Sequence, residues 1–237
     1  SGRGLGAALA LAAGAERARV VVNCVRDAKA AEAVAAEVVK RGGEALPVRA
    51  DVADFEAARG LVEQVVARWG RVDVLVNTVG AFNWNPVVEI EPDEWRRVVA
   101  TNLDSVFHMC RLVVPHMREK RFGRIVNFAA VGAATTVGEP QMAAYSAAKA
   151  GVVALSRALA LEEARCGITV NVVSPGLLKD ETGNKAAAAA DALLGDRVPV
   201  GHAGRAVDVV RAVLFFASPA ADFVTGQVVE VAGGSRI

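Results

Sequence analysis

The stretch "SGRGLG", Ser1–Gly6, with the apolar run "RVVVN" at 19–23 behind it, decides how this 237-residue chain is read. Glycines at 2, 4 and 6 let the backbone turn tightly, and a helix opening near Leu5 directs its free N–H groups and positive dipole end back at that turn. A glycine turn of this kind ordinarily leaves a strand and enters a helix. Here the sequence opens inside the turn. The strand that would feed it is expected in a native chain starting roughly ten residues earlier, about five or six of them for the strand itself. A secretory leader is the other reading of "SGRGLGAALALAAGAERA", with Arg3 as its charged end; the glycine spacing and the strand that follows oppose it.

Working outward, short β-branched runs alternate with longer helical patterns along the whole chain. The runs "RVVVN" (19–23), "ALPVRA" (45–50), "VDVLVN" (72–77), "RIVNFA" (124–129) and "ITVNVV" (168–173) are nearly all apolar, as strands covered on both faces must be. Helical patterns fall at about 27–41, 55–69, 92–119 and 143–165. This rhythm predicts one α/β domain over 1–237, a doubly wound Rossmann-type parallel sheet of order 3-2-1-4-5-6-7 with helices on both faces. The ligand crevice of such a sheet lies beyond the carboxyl ends of its strands, and its first strand is central, so the missing strand would leave two inner edges open. Residues 177–200 break the rhythm; their Ala-rich stretch between Gly and Pro reads as a lid or as a plain surface excursion.

Composition excludes several classes. With 53% apolar residues, 22% charged and a net charge of +1, the chain carries a sizeable core and no electrostatic footprint for nucleic acid. The basic cluster at 118–124 is interrupted by Glu119 and reads as a solvated helix end. No uncharged apolar run reaches the roughly eighteen residues a membrane span needs. Cys24, Cys110 and Cys166 are far apart, and so are His108, His116 and His202. They read as small buried thiols of a reducing, cytoplasmic setting and as ordinary histidines, with no metal expected.

The glycine turn and helix start suit a pyrophosphate. About seventeen residues on, where an acid would hold the ribose of NAD, the chain reads "NCVR", Asn23–Arg26. A 2′-phosphate is repelled by a carboxylate and held by a guanidinium, so Arg3 and Arg26 favour NADP(H) over NAD(H), while Asp27 reads as a helix N-cap. Two ordinary surface arginines are the plainer alternative. Tyr145, the chain's single tyrosine, stands four residues before Lys149, a spacing that puts both on one helix face. An ammonium beside a phenol lowers its pKa from about 10 toward neutrality, which fits Tyr145 as a general acid toward a carbonyl oxygen.

The glycine turn, "ADV", "NTVG", "TN", "YSAAK", "VSPG" and "VTGQ…VAGG" come in the order and spacing of the short-chain dehydrogenase/reductase family, which the chain resembles over essentially its whole length. Within it the chain is most similar to the 3-oxoacyl-carrier-protein reductase group. The resemblance implies Gly4, Leu5 and Gly6 at the pyrophosphate, Asp51 and Val52 at the adenine, Asn77 and Gly80 along the cofactor, and Pro175 and Gly176 beside the nicotinamide. It also implies Asn102 as holder of a water next to the lysine, Tyr145 as proton donor, and Lys149 as the group that lowers the tyrosine's pKa and binds the nicotinamide ribose.

Departures accompany the match. "NNAG" has become "NTVG", and Asp180 replaces the threonine expected beyond "PG", leaving Thr182 as a substitute near the carboxamide. Ala130 aligns with the family's catalytic serine, and the segment from there to Tyr145 is about two residues longer than usual. Loss of one preorganised donor costs about 2.7–4 kcal/mol, so a slower reductase is expected rather than an inert protein. Thr135 or Thr136 could fold back to supply the hydroxyl, or remain loop residues; a substrate bringing its own polar groups is a further possibility. The competing class is an NADP(H)-binding sensor or partner protein with little catalysis. The loop "AFNWNP", 81–86, and the lid are expected to wall the pocket for a small carbonyl substrate, and the resemblance implies a homodimer or homotetramer paired through the helices near 92–119 and 143–165.

Overall fold

The computed structural model describes residues 1–179 and 198–235. Helix α1 (Gly4–Ala15) leads into β1 (Arg19–Cys24), α2 (Ala28–Lys40), β2 (Glu44–Arg49), α3 (Phe55–Trp69) and β3 (Val74–Asn77). Then come α4 (Pro92–Val99), α5 (Ser105–Lys120), β4 (Gly123–Phe128), α6 (Ala143–Glu163), β5 (Ile168–Pro175), α7 (Ala206–Ala217) and β6 (Val228–Val231). The helix starts follow from the sequence: Asp27 and Asp54 accept the backbone N–H of Ala30 and Ala57 at 2.9 and 2.8 Å, so both are N-caps.

All strand pairs are parallel. β1 pairs with β2, and β3-β4-β5-β6 form a second ladder in that order. These are positions 3-2 and 4-5-6-7 of the expected order, and no ladder joins β1 to β3. Every residue of β4 is buried, and so is every residue of β5 before Pro175, as strands sheathed on both faces require. Along β4 the side chains divide between two layers. Ile125 packs with Leu61, Val106, Met109, Val113 and Val152 of α3, α5 and α6, whereas Val126 and Phe128 pack with Leu9, Val209, Val213 and Phe216 of α1 and α7.

The sequence pattern ran through 92–119 as one helix, but the structure splits it. Between α4 and α5, Ala100–Asp104 form a single π-helical turn. Side chains draw off the carbonyls that a regular ladder would use: Thr101 Oγ1 donates to Arg97 O at 2.8 Å, Asn102 Nδ2 to Val98 O at 2.9 Å, and Ser105 Oγ to Thr101 O at 2.8 Å. Turns of this kind are enriched at functional sites. The "VTGQ" motif is structural: Thr225 Oγ1 accepts from Val170 N–H, and the Asn171 amide bonds both Val224 O and Gln227 N–H, which docks the last segment on β5. Of the three cysteines only Cys110 is buried, its thiol pushed up to about 12 by desolvation; Cys24 and Cys166 are half-buried, contrary to expectation. Among the described residues no helix is long and apolar enough to cross a membrane.

Candidate active site

The carboxyl ends of the strands collect most of the expected residues. At the start of α1, Gly4 has φ +53, a conformation that favours glycine. Gly6 lies so close to Ser1 that an added Cβ would stand 2.9 Å from its Cα and 3.4 Å from Thr78 Oγ1, which places the helix start against the end of β3. Arg3 at the N-cap offers no side-chain bond, and the first turn has no acid. An anion therefore fits at its N–H groups. Leu5 packs into the α1–α7 layer.

Arg3 and Arg26 are exposed, and their side chains form no hydrogen bond or ion pair with another described residue. The Asn23 side chain, one residue from the end of β1, is bound within the sheet. Its Nδ2 donates to Ala50 O at 2.9 Å and Val48 O at 3.3 Å. The residue clamps the ends of β1 and β2 together. Arg49, which sequence reasoning missed, donates from Nε to Val25 O at 3.1 Å. Asp51 is exposed, its Oδ1 accepting from Ala53 N–H at 3.1 Å, and Val52 is buried beneath it.

The Asn77 side chain, at the end of β3, is bound within the fold. Its Nδ2 donates to Asn127 Oδ1 at 2.8 Å, and Asn127 Nδ2 continues to Ser156 Oγ at 2.9 Å, a buried network that ties β3, β4 and α6. Asn102 is fully buried in the π turn and donates to Ala81 O at 2.6 Å, while its Oδ1 has no partner among the described residues. That oxygen lies against Gly80, where any Cβ would collide with it, so Gly80 is fixed by packing. Asn83 is only 5% exposed with both amide atoms open, and Ser174 Oγ at the end of β5 is likewise open. Buried polar atoms normally have partners, so orphans at the ends of β3 and β5 and in the turn that flanks them fit a ligand that supplies hydrogen bonds. Pro175 and Gly176 follow Ser174, Gly176 N–H donating to Val231 O at 3.0 Å.

Tyr145 and Lys149 share a face of α6, with the Lys149 Nζ 5.6 Å from the centre of the tyrosine ring. Phe82 covers the ring edge-on at 5.0 Å, and Trp84 extends that wall. Lys149 is 5% exposed and donates to Phe128 O at 2.9 Å, at the end of β4. Burial lowers the lysine to about 8, and burial also raises the Tyr145 phenol above its ordinary value. The expected lowering of the phenol by its neighbour is thus overturned: the ammonium is directed at a carbonyl of β4, and desolvation dominates both groups.

Ala130 lines a cavity of about 50 Å³ with Val131, Glu139, Met142, Ser146 and Lys149. Neither loop threonine reaches it. Thr135 Oγ1 donates to Gly132 O at 3.1 Å and Thr136 Oγ1 to Thr135 O at 2.7 Å, so both serve the loop. Glu230 on β6, unforeseen in the sequence, accepts Gly132 N–H at 2.8 Å and anchors the same loop. Asp180, Thr182 and most of the expected lid, at 180–197, lie outside the described residues.

The fold is that of the Rossmann-type dehydrogenases. A solved structure from Sinorhizobium meliloti 1021, described as a short-chain alcohol dehydrogenase, superposes with a TM-score of 0.88 at 28% identity, covering 98% of this chain and 92% of that one. The family model described as enoyl-(acyl carrier protein) reductase matches residues 1–236. The 3-oxoacyl-[acyl-carrier-protein] reductase FabG of Staphylococcus aureus is 35% identical over 98% of this chain and 94% of its own length. The corresponding reductase of Synechocystis is 38% identical over 98% and 92%, and that of Haemophilus influenzae 38% over 99% and 94%. The chain belongs to the short-chain dehydrogenase/reductase family, as an oxidoreductase.

Proposed function

We propose that the chain is an NADPH-dependent carbonyl reductase that converts a 3-oxoacyl thioester or related ketone to the alcohol. The observation that carries this reading is the buried Tyr145–Lys149 face beside the end of β4, walled by Phe82. NADPH, when bound, supplies the hydride. Gly4, Leu5 and Gly6 would hold its pyrophosphate, Arg3 and Arg26 its 2′-phosphate, Asp51 and Val52 its adenine, and Gly80, Pro175 and Gly176 its nicotinamide half. An ordinary phenol, with a pKa of about 10, holds its proton at neutral pH and burial raises Tyr145 further, so Tyr145 has a proton to deliver to the substrate oxygen. Lys149, charged below about 8, offsets the phenolate left behind. A protein that only bound cofactor would have no use for the buried phenol.

The relatives' names make 3-oxoacyl thioesters the first substrates to try, with enoyl thioesters and simple ketones beside them. Consumption of NADPH with a carbonyl compound supports the reading; none with any of them, at full cofactor binding, rejects it. Arg26→Ala is expected to weaken NADPH about tenfold or more and NADH less than twofold, since a charge-assisted phosphate bond is worth roughly 1.5–3 kcal/mol. Equal losses, measured by fluorescence titration, would remove the phosphate assignment. Ala130→Ser has room for its hydroxyl in the adjacent cavity and is expected to raise kcat about tenfold, with KM changing less. A fall in kcat would mean that the pocket is shaped around the alanine.

A cytoplasmic homodimer or homotetramer completes the proposal. Trp95, Phe107 and Leu161 leave apolar side chains exposed on α4, α5 and α6, the outer helices available for pairing.

A further inference from the structure

We infer that Arg49 is a specificity-determining residue that grips the cofactor's 2′-phosphate together with Arg26. The inference deepens the NADPH reading and rests on it. In the parallel register Cys24 stands opposite Arg49, so the end of β2 lies beside the end of β1. The Arg49 Nε–H bonds Val25 O at 3.1 Å, and Val25 directly precedes Arg26. The Arg49 guanidinium thereby sits at the peptide unit that leads into Arg26. It is held in place, while the Arg26 side chain has no partner among the described residues.

An arginine tethered through Nε keeps its two Nη groups free, and these are the donors that engage a phosphate in a planar fork. Tethering also removes part of the side-chain entropy that a free arginine loses on binding. The carboxylates close by do not cancel this charge: Asp27 is turned to Ala30 N–H, Asp51 to Ala53 N–H, and neither makes an ion pair with an arginine. Nor is Arg49 explained as a structural residue. It is exposed, and its side chain's one hydrogen bond among the described residues goes to Val25 O, in a segment already fixed by Ala50 N–H to Cys24 O at 2.9 Å.

The test is equilibrium calorimetry on the full chain with adenosine 2′,5′-bisphosphate and 5′-AMP as probes, which differ only in the 2′-phosphate. Wild type is expected to prefer the bisphosphate. Arg49→Ala is expected to weaken the bisphosphate about tenfold and 5′-AMP less than twofold, with an unchanged melting temperature. Arg49→Lys keeps the charge and loses the fork, and is expected to recover less than half of the lost affinity on a logarithmic scale. If wild type binds both probes equally, the NADPH reading itself fails and the inference with it. If wild type prefers the bisphosphate but Arg49→Ala retains that preference, or loses both probes alike, the Arg49 assignment alone is overturned.

Discussion

Tyr145→Phe is expected to cut carbonyl reduction by about a thousandfold while leaving NADPH affinity within twofold. The phenylalanine keeps the ring that Phe82 packs against at 5.0 Å, so the wall of the pocket survives and only the proton is lost. Positioned acid catalysis typically contributes 10²–10⁴-fold, and with Ala130 in the neighbouring position there is no second hydroxyl on that loop to take over. Steady-state kinetics with a 3-oxoacyl thioester, alongside a binding titration, provides the check. A variant as active as wild type would remove Tyr145 as donor, whichever substrate is used.

Lys149→Met is expected to have two opposed effects, an inactive enzyme and a more stable fold. Burial depresses the lysine from 10.5 to about 8, so at pH 7 the folded chain carries an ammonium that the unfolded chain would hold more favourably. At about 1.4 kcal/mol per pH unit the penalty is roughly 3 kcal/mol. Losing the hydrogen bond to Phe128 O returns about 1 kcal/mol of it. The variant should therefore gain about 2 kcal/mol in urea unfolding at pH 7. The penalty is complete below about 8 and fades between there and 10.5, so wild-type stability from this group rises with pH across that window and the variant's advantage shrinks. Reduction by wild type should decline above pH 8 as the ammonium is lost. An unchanged or lower stability for Lys149→Met at pH 7 would show that the amine is not desolvated as described.

The strands and helices were legible because buried parallel strands are apolar throughout and the covering helices are not, a contrast that survives without any alignment. β4 and β5 illustrate it, and the cap at Asp27 was legible for its own reason, an acid standing just ahead of a helical pattern. The site was legible where function depends on spacing, as for Tyr145 and Lys149 on one turn of helix. It was not legible where a polar side chain chooses between partners. Asn23 and Asn77 end strands as ligand-facing residues would, yet their amides bond neighbouring strands. Arg49 was missed because only the pairing of β1 with β2 brings it to Val25, across 24 residues of chain. The direction of the Tyr145 shift was misread for a related reason: spacing shows which charge is near, but not how much solvent has been removed.

The widened turn at Ala100–Asp104 makes chain length there a matter of phase. A widened turn spreads one extra residue over about the rotation of an ordinary turn, so deleting one of the five would let it relax to regular geometry, about 100° per residue, with everything downstream left nearly in phase. Val106, Met109, Cys110, Val113, Val114 and Met117 would then keep their places in the core, and the loss would fall on the turn itself, where Asn102 holds Ala81 O and lies against Gly80. A one-residue deletion there should therefore still fold yet lose the site, which a deletion scan read by folded yield and by NADPH consumption side by side would show.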